Sequence, residues 1–150
     1  MHGDWCSIDR IDDFDYWFIH GRSDDTINIA GKRVGPAEFE DAAETHRAIK
    51  EAAAIAVPDA VKGDVVILLV VARNPLEESE KLRQELFAIA DRMLGKSLRP
   101  KKILFVDDLP KTRSQKIMRR VGRARFLGLD LGDLSALDNP DALRAIDNAR

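Results

Sequence analysis

Hydrophobic and polar positions change period several times along this chain, and each change marks an element. Residues 26–30, Thr-Ile-Asn-Ile-Ala, alternate with period two, which predicts a short strand with Ile27 and Ile29 on one face. Gly31-Lys32-Arg33 reads as a hairpin-type turn, because glycine permits positive φ and leaves the backbone bare. Gly35-Pro36 then opens a helix over about 36–45, with proline at the first helical position and Glu38, Glu40 and Asp41 in the early turns. Two cations therefore sit just ahead of a helix.

The run 51–57 is rich in alanine, a helix former, yet Pro58 stops it and Lys62-Gly63-Asp64 links it to the β-branched run 65–71. That arrangement predicts two strands, the second a central one buried on both faces. From 76 to 94, Leu82, Leu86, Ile89, Ala90, Met93 and Leu94 recur at three- and four-residue spacing, an amphipathic helix ended by Gly95. Residues 102–106 give a third strand, 111–115 a polar loop and about 117–126 a basic helix. Beyond Gly128, turn signals mark a surface tail with one last helix, 141–146, capped by Asn139 or Asp138. At the other end, Trp5, Ile8 and the run 16–21 suggest two short strands joined by an acidic turn at 12–15. Two isolated strands are marginal in water, so these want a larger sheet. The fold class expected is α+β: a small sheet of about three strands plus a hairpin, covered by helices.

Composition narrows the setting. At 150 residues the chain is one ordinary domain plus appendages. The single Cys6 cannot form an internal bridge, and no apolar run reaches the roughly 18 to 20 residues of a membrane helix. A cytoplasmic protein with no membrane partner is expected, and residues 1–13 offer neither a basic leader nor an apolar segment, so no secretory signal is expected. With 24 basic and 26 acidic residues the net charge is −2, which argues against nucleic acid as a partner. Charge is nonetheless uneven: residues 99–125 gather lysines and arginines, Lys111 and Lys116 among them, against Asp107 and Asp108. Taken alone, that is a solvated basic face. His2, His20 and His46 show no metal-ligand spacing with Cys6, so no metal site is expected.

The densest chemistry lies in residues 21–40, GRSDDTINIAGKRVGPAEFE, and 109–120, LPKTRSQKIMRR. The first closely resembles the hinge-and-turn motif of the adenylate-forming acyl-CoA synthetases, and the second resembles the catalytic-lysine motif of their small C-terminal domain. The tail 131–143, LGDLSALDNPDAL, is similar to the extension of the acetyl- and propionyl-CoA synthetase branch. The resemblance implies four segments: 1–22 from the end of a large N-terminal AMP-binding domain, 23–25 a hinge, 26–127 the C-terminal lid and 128–150 a tail extension. It implies a ligase that turns carboxylate, ATP and CoA into acyl-CoA, AMP and pyrophosphate, with ATP, CoA and Mg2+ as cofactors of the complete enzyme. Lys116 is then the adenylation lysine, a preorganised positive charge on the carboxylate and α-phosphate oxygens. Asp4 and Arg22 are implied at the ribose hydroxyls, Gly31 where the pantetheine arm passes, Arg33 at a phosphate or bracing the turn, and Asp24 as the hinge. Without the resemblance these residues read as a surface lysine, exposed ion pairs, a turn glycine and a turn aspartate.

Two positions depart from that pattern. Gln115 stands where the family commonly has glycine, which bears on the freedom of the lysine loop. It also bears on how a protein acetyltransferase, a regulator of this branch, would recognise Lys116. Asp15 stands where a turn glycine is usual. The acyl pocket and most ATP contacts are expected outside the chain. Its partners are then an N-terminal AMP-binding domain or full-length parent and a small carboxylate such as acetate or propionate, and the chain alone is not expected to catalyse. Two other readings remain open: a stand-alone interaction module using the 99–125 surface, and a truncated reading frame without activity.

Overall fold

The computed structural model describes the backbone of residues 4–11, 14–22, 25–77 and 79–150, with side chains from residue 25 onward except at 78. Strands β1 (Asp4–Ile11) and β2 (Phe14–Arg22) form an antiparallel hairpin in which Asp4 pairs with Arg22 and Ile11 with Phe14. Phe14 and Asp15 thus belong to a strand, not to the expected acidic turn, because the ladder runs on to the Ile11–Phe14 pair.

A second, tighter hairpin follows, made of β3 (Ile27–Ile29) and β4 (Lys32–Val34). Its turn is Ala30-Gly31, with φ of 49° and 83°. Two consecutive positive φ values match the twist of the flanking strands. The turn expected at Gly31-Lys32-Arg33 is therefore displaced by one residue, and Lys32 and Arg33 lie in β4 opposite Ile29 and Asn28. Ile27, Ile29 and Val34 all bury their side chains, as the alternating pattern requires. Helix α1 (Pro36–Glu44) starts where proline and glycine place it, with Gly35 as N-cap and Phe39, Ala42 and Ala43 turned inward.

The sheet is built on β5 (Ile49–Asp59) and β6 (Gly63–Ala72), paired antiparallel along nearly their whole length. β3 continues the ladder at one end of β6, through Ile29 and Gly63, and β7 (Lys102–Phe105) pairs parallel to its other half. The result is a five-stranded sheet with β6 at its centre. Alanine-rich β5 is a strand despite its propensity because each small residue faces a large one, Ala52 against Val70, Ala53 against Leu69 and Ala54 against Leu68. One face, with Ala52, Ala54, Val66 and Leu68, packs against Phe39 of α1 and Leu82 and Leu86 of α2 (Glu80–Met93). The opposite face, with Ala53, Ile55, Ile67 and Leu69, packs against Leu109, Ile117, Phe126 and Ile146.

β5 is an edge strand, and side chains cover its free edge. Ala52 N and Ala54 N donate to Glu44 Oε1 and Glu40 Oε1 at 3.0 and 2.9 Å, while Arg123 Nε donates to Ala56 O at 2.6 Å. This satisfies the open ladder without another strand and blocks edge-to-edge association.

Three further expectations shift. The helix over 76–94 divides into a 3-10 turn (Pro75–Glu77) and α2, because Ser79 is extended and its side chain accepts from Leu82 N as an N-cap. The basic helix α3 (Arg119–Leu127) starts two residues late, since Ile117 is held in a bridge to Lys111. The final helix, α4 (Ala142–Ala149), has Asp141 at its N-cap with no side-chain cap bond. Neither Asn139 nor Asp138 caps it, and the Asn139 side chain is engaged elsewhere.

Candidate functional site

Lys116 stands at the end of a three-residue loop. Lys111 and Ile117 form an antiparallel bridge, Thr112 N donates to Lys116 O at 2.9 Å, and Gln115 N returns to Thr112 O at 2.9 Å. Residues 113–115 span the gap, with Gln115 at φ 64°. A turn followed by one left-handed residue is the common way to close such a loop, which gives the physical reason glycine would be favoured at 115. Lys116 N donates to Thr112 Oγ1 at 3.2 Å, so its backbone is fixed from within the loop. Its side chain is exposed and, among the described residues, in no ion pair.

Beneath the loop lies a lysine of the opposite kind. Lys111, expected as part of a polar loop, is 8% exposed. Its Nζ donates to Glu51 Oε1 at 2.6 Å and Asp108 Oδ1 at 3.2 Å. Burial disfavours the ammonium, but hydrogen bonds to Glu51 and Asp108 outweigh it and raise the Lys111 pKa above the ordinary lysine value. Burial likewise works against the Asp108 carboxylate, and hydrogen bonds from Asn139, Leu109 N and Lys111 overcome it and lower its pKa. Loop and stem thus divide the work: Lys111 is paired and holds structure, and Lys116 is exposed at the loop's end.

The second candidate cluster lies at the far end of the sheet. Ala30 N donates to Lys62 O at 2.8 Å, which fixes the Ala30-Gly31 turn against the β5–β6 connection, whereas Lys111 grips Glu51 near the start of β5. Asp59 lies eight residue steps along the strand from Glu51, about 26 Å at the usual rise. A Cβ on Gly31 would meet nothing within 4 Å, so the turn presents open backbone. Arg33 is exposed on β4, and Lys32 Nζ donates to Ser97 Oγ at 3.2 Å. The structure therefore does not bring Lys116 together with Gly31 and Arg33. Asp4 and Arg22 are paired across the first hairpin. Asp24 lies outside the described residues.

One ion pair ties the helices that follow the two turns. Arg119, at the start of α3, donates through Nε and Nη2 to Glu40 of α1 at 2.6 and 2.5 Å. The Glu40 hydrogen bond, working against burial, raises the Arg119 pKa above its ordinary value. Arg119 also lines a cleft of about 430 Å³ with Asp25, Thr26, Asp64, Arg120 and Arg123, at the end of the expected hinge. Sequence reasoning gave no role to Glu40 beyond the helix start, nor any to Glu51 or Lys111. Glu40 carried a signal, since it falls next to Phe39 on the inward face of α1, where a lone carboxylate needs a cation.

The AMP-binding enzyme C-terminal domain family matches residues 38–116. An acetyl-coenzyme A synthetase of Methanothrix thermoacetophila is 45% identical over 131 residues, covering 87% of this chain and 20% of the relative. A propionate–CoA ligase of Salmonella typhimurium is 40% identical over 139 residues, 89% of this chain and 22% of the ligase. The crystal structure of a Brucella canis acyl-CoA synthetase superimposes with a TM-score of 0.61 at 35% identity, over 75% of this chain and 20% of that one. The chain thus spans about a fifth of the length of these relatives.

Proposed function

As the chain belongs to the AMP-binding enzyme C-terminal domain family, we propose that it is the lid of an acetyl- or propionyl-CoA-synthetase-like ligase. It would serve two half-reactions from two ends. In the first, a carboxylate oxygen attacks the α-phosphorus of ATP and the bond to the pyrophosphate oxygen breaks. Lys116 would offset the negative charge that builds on the carboxylate and α-phosphate oxygens. In the second, the CoA thiol attacks the acyl carbon and AMP leaves, with the pantetheine arm running past Gly31. Asp4 and Arg22 would hold the ribose hydroxyls, and Arg33 a phosphate. Asp24 would be the hinge on which residues 26–127 swing, the tail being 128–150 and residues 1–22 belonging to the large domain.

The observation that carries this reading is the contrast at the lysine loop: an exposed Lys116 without an ion-pair partner among the described residues, on a stem that Lys111 locks. Both implied ligands suit the residues present, a phosphate with the exposed Lys116 side chain and a thin thiol arm with the bare backbone at Gly31. Mg2+ would accompany the phosphates of ATP; among the described residues no group of three or more His, Cys, Asp or Glu is placed to hold a metal. The large domain, supplied in the full-length parent or separately, would bring the acyl pocket, so the chain alone would not turn over. An acetyltransferase would find Lys116 accessible.

The test combines the chain with its complementary large domain and follows acetate- or propionate-dependent pyrophosphate release. Lys116→Ala should lower that rate by about 100- to 1,000-fold, the range for removing one preorganised donor. The same variant should still pass a preformed acyl-AMP to CoA. Full pyrophosphate release by the variant sinks the proposal.

A further inference from the structure

The tail after α3 does more than cover the sheet. α4 does cover it, through Ala145 and Ile146. Residues 137–139, however, reach past the sheet to the stem of the Lys116 loop. Leu137 bridges to Thr112 in antiparallel fashion, and Asp138 N donates to Lys111 O at 2.9 Å. The stem is therefore three segments wide, with the tail on one side and Ile117 on the other.

Asn139 is the centre of that junction. Its Oδ1 accepts from Lys111 N at 2.8 Å, and its Nδ2 donates to Leu109 O at 2.8 Å and to Asp108 Oδ2 at 2.7 Å. The amide has one consistent orientation, because reversing it would set an NH2 group against a backbone N–H and a carbonyl oxygen against a carboxylate. Every one of the three bonds lands on residues 108–111. The same four residues contain Lys111, whose bridge partner Ile117 adjoins Lys116. A second clasp comes from Arg120, whose guanidinium donates to Leu131 O at 2.6 Å and Asp133 O at 2.8 Å, so the tail is pinned on both sides of the loop.

We infer that Asn139 is a positioning residue for Lys116: it aligns the backbone of the loop stem so that the exposed ammonium is presented in one place. This rests on the proposed role of Lys116. It assigns to the tail, which lies beyond the 38–116 family match, a share in the first half-reaction. A loop anchored on one flank only would leave Lys116 free to wander, and a misplacement of about 1 Å is enough to cost about a hundredfold in a positioned reaction.

The complete ligase carrying Asn139→Ala should show acid-dependent pyrophosphate release slowed by about 10- to 100-fold. Transfer of preformed acyl-AMP to CoA should stay within about twofold, because Gly31 lies at the other end of the sheet. Amide exchange over residues 111–117 should quicken while residues 142–149 keep their protection. Asn139→Asp, which keeps the acceptor for Lys111 N but sets a carboxylate against Asp108, should give the same split. It serves if the alanine variant fails to fold. Equal loss in both half-reactions, no loss in the first, or failure of both variants to fold would overturn the inference. Lys116→Ala separates the two claims: if that variant is fully active the ligase reading itself has failed, whereas a dead Lys116→Ala beside a normal Asn139→Ala removes only the role of Asn139.

Discussion

The two turns that carry the candidate chemistry are held in opposite ways. Ala30-Gly31 is held through backbone, two left-handed residues closed by β3 and β4 with Ala30 N on Lys62 O, and its open side has no atom within 4 Å of an added Cβ. The loop at 113–115 has one left-handed residue and takes its position from its stem, where Glu51 and Asn139, from two distant segments, grip the flanking Lys111 and Asp108. A site that offers bare backbone has no side chain to hold it, so local φ and backbone hydrogen bonds must do so. A site that offers a side chain has its backbone free to be gripped.

Breaking the outside grip should produce the largest effect. Lys111→Met leaves Glu51 and Asp108 facing each other without their cation, and removing one partner of a buried pair costs about 3 to 5 kcal/mol. We expect the low end, about 3 kcal/mol, because the Asp108 side chain is 44% exposed. The matching change at the other turn, Lys32→Met, loses only an exposed bond to Ser97 and should cost under about 0.5 kcal/mol. Urea unfolding of both variants makes the comparison, and equal costs would erase it. The pH dependence has a definite sign. The contribution of Lys111 is whole below the ordinary lysine value of about 10.4 and is lost as pH rises through its higher folded value. The contribution of Asp108 is whole above about 3.9 and is lost as pH falls through its lowered one. Lys111→Met should flatten the alkaline fall.

The same division explains what the amino-acid sequence made legible. Period-two and period-three-to-four patterns gave the strands and helices because burial on one face writes itself locally, as in Ile27 and Ile29 or Leu82 and Leu86. The fold class was readable for that reason, and the family through the resemblance carried by the two long motifs. The hairpin was misplaced by one residue because Ala30 adopts positive φ, which its side chain does not advertise. The clasp on the lysine loop was invisible for a different reason. Glu51 lies 60 residues from Lys111 and Asn139 lies 28 away, and Asn-Pro reads locally as a turn or cap. Contacts of that span are set by how the sheet closes, and no local pattern carries them.

Smaller effects sharpen the contrast at the turns themselves. Gly31→Ala meets no clash, so its cost is the left-handed backbone alone, about 1 kcal/mol, read as a fall in the urea midpoint. Gln115→Gly should move stability least of all. It relieves about 1 kcal/mol of left-handed strain at φ 64° and returns most of that through the freer unfolded chain, leaving a net change within about 0.5 kcal/mol. If Lys111 and Asn139 set the loop, amide exchange across residues 111–117 should be unchanged in Gln115→Gly, since the stem bonds do not pass through the 115 side chain. Stabilisation beyond about 1 kcal/mol, or faster exchange through the stem, would mean that φ at 115 governs the loop as φ at 31 governs its counterpart. The two turns would then differ only in which residue nature placed there.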